Sequence, residues 1–148
     1  MVEYIGLQTY LDLHNTGIVK EKYLQLLREL TYAPDIPDDM FLQNINQIHK
    51  TGQIIIGVSG DEIVCSGTII IEPKIIHGCK NVGHIEDIVV RGSWRGRKIG
   101  CSLLQRLVAY ASKNNCYKII LDCKEQLESF YKKTNFSKHG VQMSLYLE

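Results

Sequence analysis

The chain has 148 residues, enough for one domain and too few for two full ones. Hydrophobic residues make up 45% and charged residues 22%, which excludes a disordered chain. Lys and Arg number 17 against 16 Asp and Glu, a formal charge of +1, so no overall field favours nucleic acid or an anionic membrane and neither is expected as a partner.

Residues 1–14 hold a short apolar stretch that reads as an opening strand. From Ile18 to Leu30, Tyr23, Leu24, Leu27 and Leu30 recur at a spacing of three or four among good helix formers, which predicts a helix. Pro34 and Pro37 end it, and a second helix is predicted from Asp38 as N-cap through Phe41, Leu42, Ile45 and Ile48. The period then changes. Gln53–Val58 and Ile63–Ile71 are β-branched runs joined by Ser59-Gly60-Asp61-Glu62, the signature of a hairpin. A loop over Glu72–Gly83 leads to a strand over His84–Arg91. After a Gly/Arg-rich loop, Ile99, Leu103, Leu104, Leu107, Val108 and Ala111 form a helical stripe. A strand over Tyr117–Cys123, a short helix over Glu125–Lys133 and a last strand over Lys138–Leu147 complete the chain. The order β-α-α-β-β-β-α-β-α-β predicts one mixed α/β domain spanning 1–148, with antiparallel hairpins first and crossover helices after.

No apolar run approaches the ~18 residues of a membrane span, and MVEYIGLQTY lacks the basic and apolar regions of a signal peptide. Cys65, Cys79, Cys101, Cys116 and Cys123 are odd in number and form no Cys-x-x-Cys pair, so reduced thiols in a cytoplasmic protein are expected. His77 and His84 show no metal-ligand spacing, and no metal site is expected.

Two segments carry chemistry. Arg95-Gly96-Arg97-Lys98-Ile99-Gly100 follows a strand and opens a helix, whose unpaired N–H groups and positive dipole end suit a phosphate. It lacks the Gly-Lys-Ser/Thr of a Walker loop and the glycine spacing of a dinucleotide fingerprint. In Gly83-His84-Ile85-Glu86-Asp87-Ile88-Val89-Val90, strict alternation puts His84, Glu86, Ile88 and Val90 on one face and Ile85, Asp87 and Val89 on the other. Glu86 and Asp87 then diverge, and at least one faces a polar cleft, because an unpaired charge in a central strand is costly.

Together these segments resemble the GNAT superfamily of acetyl-CoA-dependent N-acetyltransferases, and within it the eukaryotic glucosamine 6-phosphate N-acetyltransferases. The resemblance is carried by Lys74-Ile75-Ile76-His77-Gly78, Gly83–Ile88, Arg95–Gly100, Cys116–Cys123, Phe130–Lys133 and Asn135-Phe136, about half the chain. It implies a mixed, mostly antiparallel central sheet flanked by helices. It implies that the CoA pyrophosphate lies on Arg95, Gly96, Arg97, Lys98, Ile99 and Gly100, and that Ile88, Val89 and Val90 pair with the pantetheine as an added strand. A backbone N–H at Ile88 would hold the tetrahedral oxyanion. Tyr131 would protonate or hydrogen-bond the leaving thiolate and touch the cofactor, Glu86 would position or deprotonate the amine, and the Asp122 carbonyl would assist. Asp87 would bind the sugar, Lys74 and His77 its 6-phosphate, and Thr31 on the first helix would touch substrate. A homodimer is implied, with the site near its interface.

The chain departs from that pattern at Leu127, where an asparagine is common, and at the C-terminus, which lacks a basic residue near Tyr146. A GNAT enzyme acting on a protein or another small amine, and a non-catalytic acyl-CoA-binding module, are the alternatives.

Overall fold

A computed structural model describes residues 1–148. Five strands form one sheet in the order β1-β2-β3-β4-β5. They are β1 (Glu3–Gly6), β2 (Gly52–Ser59), β3 (Glu62–Glu72), β4 (Asn81–Val90) and β5 (Cys116–Ile120). The first four are mutually antiparallel, and β5 lies parallel to β4. A parallel pair needs a crossover, which α5 (Ile99–Lys113) provides.

The helices pack on both faces. On one, α1 (Leu7–Leu13), α2 (Thr16–Leu27) and α3 (Asp38–Thr51) bury Leu7, Val19, Tyr23, Leu26, Phe41 and Ile45 against Ile54, Ile56 and Val89. On the other, α5 lays Leu103, Leu104, Leu107 and Ala111 against Ile55, Ile69 and Ile85, with Tyr131 of α6 (Glu128–Lys133) at the rim. Leu103 and Leu107 are 0% exposed, each worth about 2 kcal/mol of apolar burial.

The predicted elements are present with shifted ends, except at the termini. The opening stretch is not one strand: β1 ends at Gly6 and α1 follows at once. Seven residues are too few for a helical period to stand out. The predicted helix through Leu30 stops at Leu27, and the helix assigned to Asp38 as N-cap has Pro37 at that position. The Asp38 carboxylate instead meets Lys20 at 2.8 Å. The strand predicted to reach Cys123 ends at Ile120, and only residues 128–133 of the next segment are α-helical, after a 3₁₀ turn at Glu125–Leu127. The last predicted strand does not form within the chain. Residues 138–148 have no partner strand, and Val141, Met143, Leu145 and Leu147 are all exposed. Their alternation is that of a strand, but a strand needs a neighbour for its N–H and C=O groups.

The β4 alternation is also broken. Register shifts between Ser66 and Thr68, so that Asp87 and Ile88 together oppose Gly67. Asp87 sits at φ 53°. This bulge flips the pleat: Ile85 packs with α5, whereas Val89, four residues on, packs with α1–α3, and Ile88 and Val90 turn to the α5 side. His84 and Glu86 therefore do not share a face with Ile88 and Val90. Gly67 makes room for this, since a Cβ there would lie 2.6 Å from Ile88 Cδ1.

Candidate active site

The sheet opens between β4 and β5. Their pairing runs only from Asn81 and Cys116 to His84 and Ile120. Beyond it β4 continues to Val90 and pairs with β3 alone, so one edge of Glu86–Val90 is left without a strand. The bulge turns β4 one way, and β5 leaves the sheet after Ile120. An unpaired strand edge is a template for an extended ligand. Val89 can offer such a ligand only its backbone, because its side chain is 4% exposed in the α1–α3 core.

Near this opening, Asp122 in the segment after β5 acts electrostatically on both Glu86 of β4 and Tyr131 of α6. Glu86 has its pKa raised by partial desolvation first, then by the charges of Asp122 and Asp87. Tyr131 has its pKa raised by burial first, then by Cys123 and Asp122. Asp122 is thus within electrostatic reach of both. Tyr131 is 8% exposed, its ring held edge-on between Phe130 and Phe136 at centroid distances of 5.0 and 6.0 Å. A neutral phenol is therefore presented from a fixed position. Asp87 reaches both Glu86 and Tyr23, whose pKa is raised as well. The charge of Asp87 thus acts on Glu86 across the bulge, where strict alternation would place the two on opposite faces of the sheet.

The Arg/Gly loop lies at the start of α5. Arg95, Gly96, Arg97 and Lys98 are exposed, while Ile99 and Gly100 are buried. The Arg97 guanidinium stacks over Trp94 at 4.4 Å, and the Trp94 indole donates to Glu62 at 2.8 Å. Arg95 Nε donates to the Val90 carbonyl at 3.2 Å, tying the loop to β4. The first helical hydrogen bond runs from Ser102 to Lys98, so the preceding amides of α5 have no intrahelical acceptor. A Cβ at Gly100 would come 3.0 Å from the Phe130 ring, which lets α5 and α6 approach. Open strand edge, free amides and exposed cations fit an extended ligand that carries phosphate.

The acceptor side is less united. Lys74 pairs with Glu72 at 3.1 Å, and the His77 ring stacks on Tyr117 at 4.1 Å. His77 lies in a one-turn segment, α4 (Ile76–Cys79), at φ 53° rather than a helical angle. Thr31 is not on a helix; it follows the end of α2 in an exposed turn, and its side chain makes no hydrogen bond to the other candidates. Sequence reasoning missed Glu72, whose Oε1 also accepts from His84 Nε2 at 2.8 Å. Its only signal was a carboxylate two positions before Lys74. No group of three or more His, Cys, Asp or Glu side chains could hold a metal ion, and no helix is long and apolar enough to cross a membrane.

A family model described as the acetyltransferase (GNAT) family matches residues 20–136. Glucosamine 6-phosphate N-acetyltransferase 1 of Dictyostelium discoideum is 38% identical over 130 residues, covering 84% of this chain and 82% of that protein. The Candida albicans glucosamine 6-phosphate N-acetyltransferase is 36% identical, over 82% of this chain and 85% of its own. The crystal structure of the Arabidopsis thaliana glucosamine-6-phosphate N-acetyltransferase superposes with a TM-score of 0.89 at 27% identity, covering 100% of this chain and 99% of that one.

Proposed function

The chain belongs to the acetyltransferase (GNAT) family and, within it, to the glucosamine 6-phosphate N-acetyltransferases, and on that premise we propose that it moves the acetyl group of acetyl-CoA to the amine of glucosamine 6-phosphate. The products are N-acetylglucosamine 6-phosphate and CoA, the former a precursor of UDP-N-acetylglucosamine. The whole of 1–148 serves as one acetyltransferase domain, and its five unpaired cysteines fit a reducing cytoplasm.

The observation that supports the mechanism is the opening between β4 and β5, near which Asp122 is within electrostatic reach of both Glu86 and Tyr131. The free edge at Ile88–Val90 takes the pantetheine, and Arg95–Gly100 takes the pyrophosphate. The amine reaches the site as an ammonium ion, and Glu86 accepts its proton, directly or through one water, with the Asp122 carbonyl orienting the amine. The nitrogen lone pair then forms the C–N bond at the thioester carbon, with no acyl-enzyme. The amide of Ile88, in the bulge, donates to the oxyanion. As the C–S bond breaks, the Tyr131 hydroxyl donates to the thiolate. A thiol near 8.5 and an unperturbed phenol near 10 differ by about 1.5 units, so full transfer costs roughly 2 kcal/mol. Burial raises Tyr131 further, which favours a hydrogen bond over full proton transfer. Asp87, Lys74, His77 and Thr31 hold the sugar phosphate.

A homodimer completes the reading. It is supported by the exposed alternation of Val141, Met143, Leu145 and Leu147, which a second copy can cover. Sedimentation at micromolar concentration is expected to give a dimer; a monomer throughout overturns that part.

The reaction is tested by mixing protein, acetyl-CoA and glucosamine 6-phosphate and following thiol release. Release that needs both substrates is expected. Background release alone from folded protein sinks the proposal.

A further inference from the structure

The single oxygen Glu72 Oε1, at the end of β3, meets two cationic or potentially cationic groups at once. His84 Nε2 donates to it at 2.8 Å, and Lys74 Nζ lies 3.1 Å away. Lys74 belongs to the turn that follows β3, and His84 to β4. The register places Ile70 opposite His84 and Thr68 opposite Glu86, so His84 and Glu86 are neighbours along one face. One carboxylate therefore bridges the lysine proposed to hold the phosphate and the histidine beside the proposed base. No step of the reaction above uses Glu72 or His84.

We infer that Glu72 is a positioning residue that reports phosphate occupancy to Glu86: Lys74 swings from Glu72 to the phosphate, and Glu72 is left to hold a protonated His84 beside Glu86. The inference rests on the acetyl-transfer reading above.

The steps follow from charge. In the free protein Lys74 compensates Glu72, and its positive charge opposes a second cation at the same oxygen. A phosphate dianion competes for Lys74. Once Lys74 turns to it, Glu72 has only the imidazole, which takes a proton from solvent and becomes an imidazolium with the carboxylate as acceptor. Charges on the neighbouring positions are Glu86 and Asp87 on its own strand, Lys118 on the same face of β5, across from Val82, and Asp122, which acts on Glu86 from beyond β5. An imidazolium beside Glu86 favours the ionised carboxylate, the form that accepts the proton of the amine. Glu72 itself is held low, first by its hydrogen bond from His84 and then by that from Lys74, so it stays ionised throughout. The device makes the 6-phosphate count in turnover as well as in affinity: an amino sugar without it leaves Lys74 on Glu72 and Glu86 less ready.

The test reads His84 directly. In uniformly 15N-labelled full chain at pH 7, adding glucosamine 6-phosphate is expected to move the His84 ring nitrogens toward imidazolium positions, whereas unphosphorylated glucosamine is not. In Glu72→Gln, which keeps the side-chain shape, the response is expected to vanish. Its kcat is expected to fall about tenfold with the acetyl-CoA KM unchanged, and Glu72→Asp to recover part of it. Wild type that turns over glucosamine 6-phosphate while His84 stays unmoved overturns the relay and leaves the enzyme reading intact. A Glu72→Gln variant with full kcat does the same. Wild type that neither binds nor acetylates the sugar phosphate overturns both.

Discussion

Asp122, where the chain leaves β5, lies within electrostatic reach of Tyr131 on α6, and its carboxylate pushes the phenol's pKa up. The same charge acts on Glu86 across the opening of the sheet. One aspartate thus holds two groups toward their protonated forms: the phenol stays a neutral hydrogen-bond donor but becomes a weaker acid, and the glutamate becomes slower to ionise.

Tyr131→Phe separates the hydroxyl from the ring. The ring's packing with Phe130 and Phe136 is retained, so thermal stability is expected to change little. Loss of the donor to the thiolate is expected to lower kcat by about 10- to 100-fold while the acetyl-CoA KM holds. Steady-state thiol release checks this, and an unchanged kcat removes the phenol from the leaving-group role.

Asp122→Asn tests the coupling through pH. Glu86 must be ionised to accept a proton, so kcat/KM rises with pH through the pKa of Glu86, which desolvation and Asp122 hold above the usual carboxylate range. Removing the Asp122 charge lowers that pKa, and the acid limb is expected to move to lower pH. A limb that stays in place assigns it to another group.

Two substitutions in the cofactor loop are both expected to weaken acetyl-CoA binding, one of them while stabilising the fold. Lys98 caps α5 at φ 61°, a left-handed angle that costs a side-chain-bearing residue about 1 kcal/mol. Lys98→Gly is therefore expected to raise Tm by about 2–4 °C while weakening acetyl-CoA binding through the lost charge. Arg97→Ala, which removes the cation stacked on Trp94, is expected to raise the acetyl-CoA KM about fivefold and leave the sugar KM unchanged. Melting curves and paired KM measurements decide both.

Tyr23 gives a stability prediction. Its hydroxyl is buried against Ser66 Oγ at 2.9 Å, and desolvation pushes its pKa up to about 12. The folded pKa lies above the unfolded value near 10. Its contribution is thus complete below pH 10, and it is lost as the unfolded chain ionises first between pH 10 and 12. The loss amounts to about 2 kcal/mol by pH 12. Tyr23→Phe is expected to cost about 1 kcal/mol at pH 7 through the stranded Ser66 hydroxyl, and to flatten this alkaline decline. Urea melts at pH 8, 10 and 11.5 measure it.

Local patterns determined most of the fold. The α5 stripe, the Ser59–Glu62 turn and the Arg95–Gly100 loop are each specified by neighbours in sequence, where side-chain period and turn chemistry act. Resemblance to a family singled out Glu86, Asp122 and Tyr131, and the structure puts Asp122 within electrostatic reach of the other two. Three features were decided only by tertiary structure. The β4 bulge depends on Gly67 in another strand, so alternation along β4 alone assigned Ile88 and Val90 to the wrong face. The pairing of Glu72 with His84 needs the β3–β4 register to bring the two together. Residues 138–147 have the alternation of a strand but gain no ladder within their own chain, because a strand is made by its partner and not by its pattern.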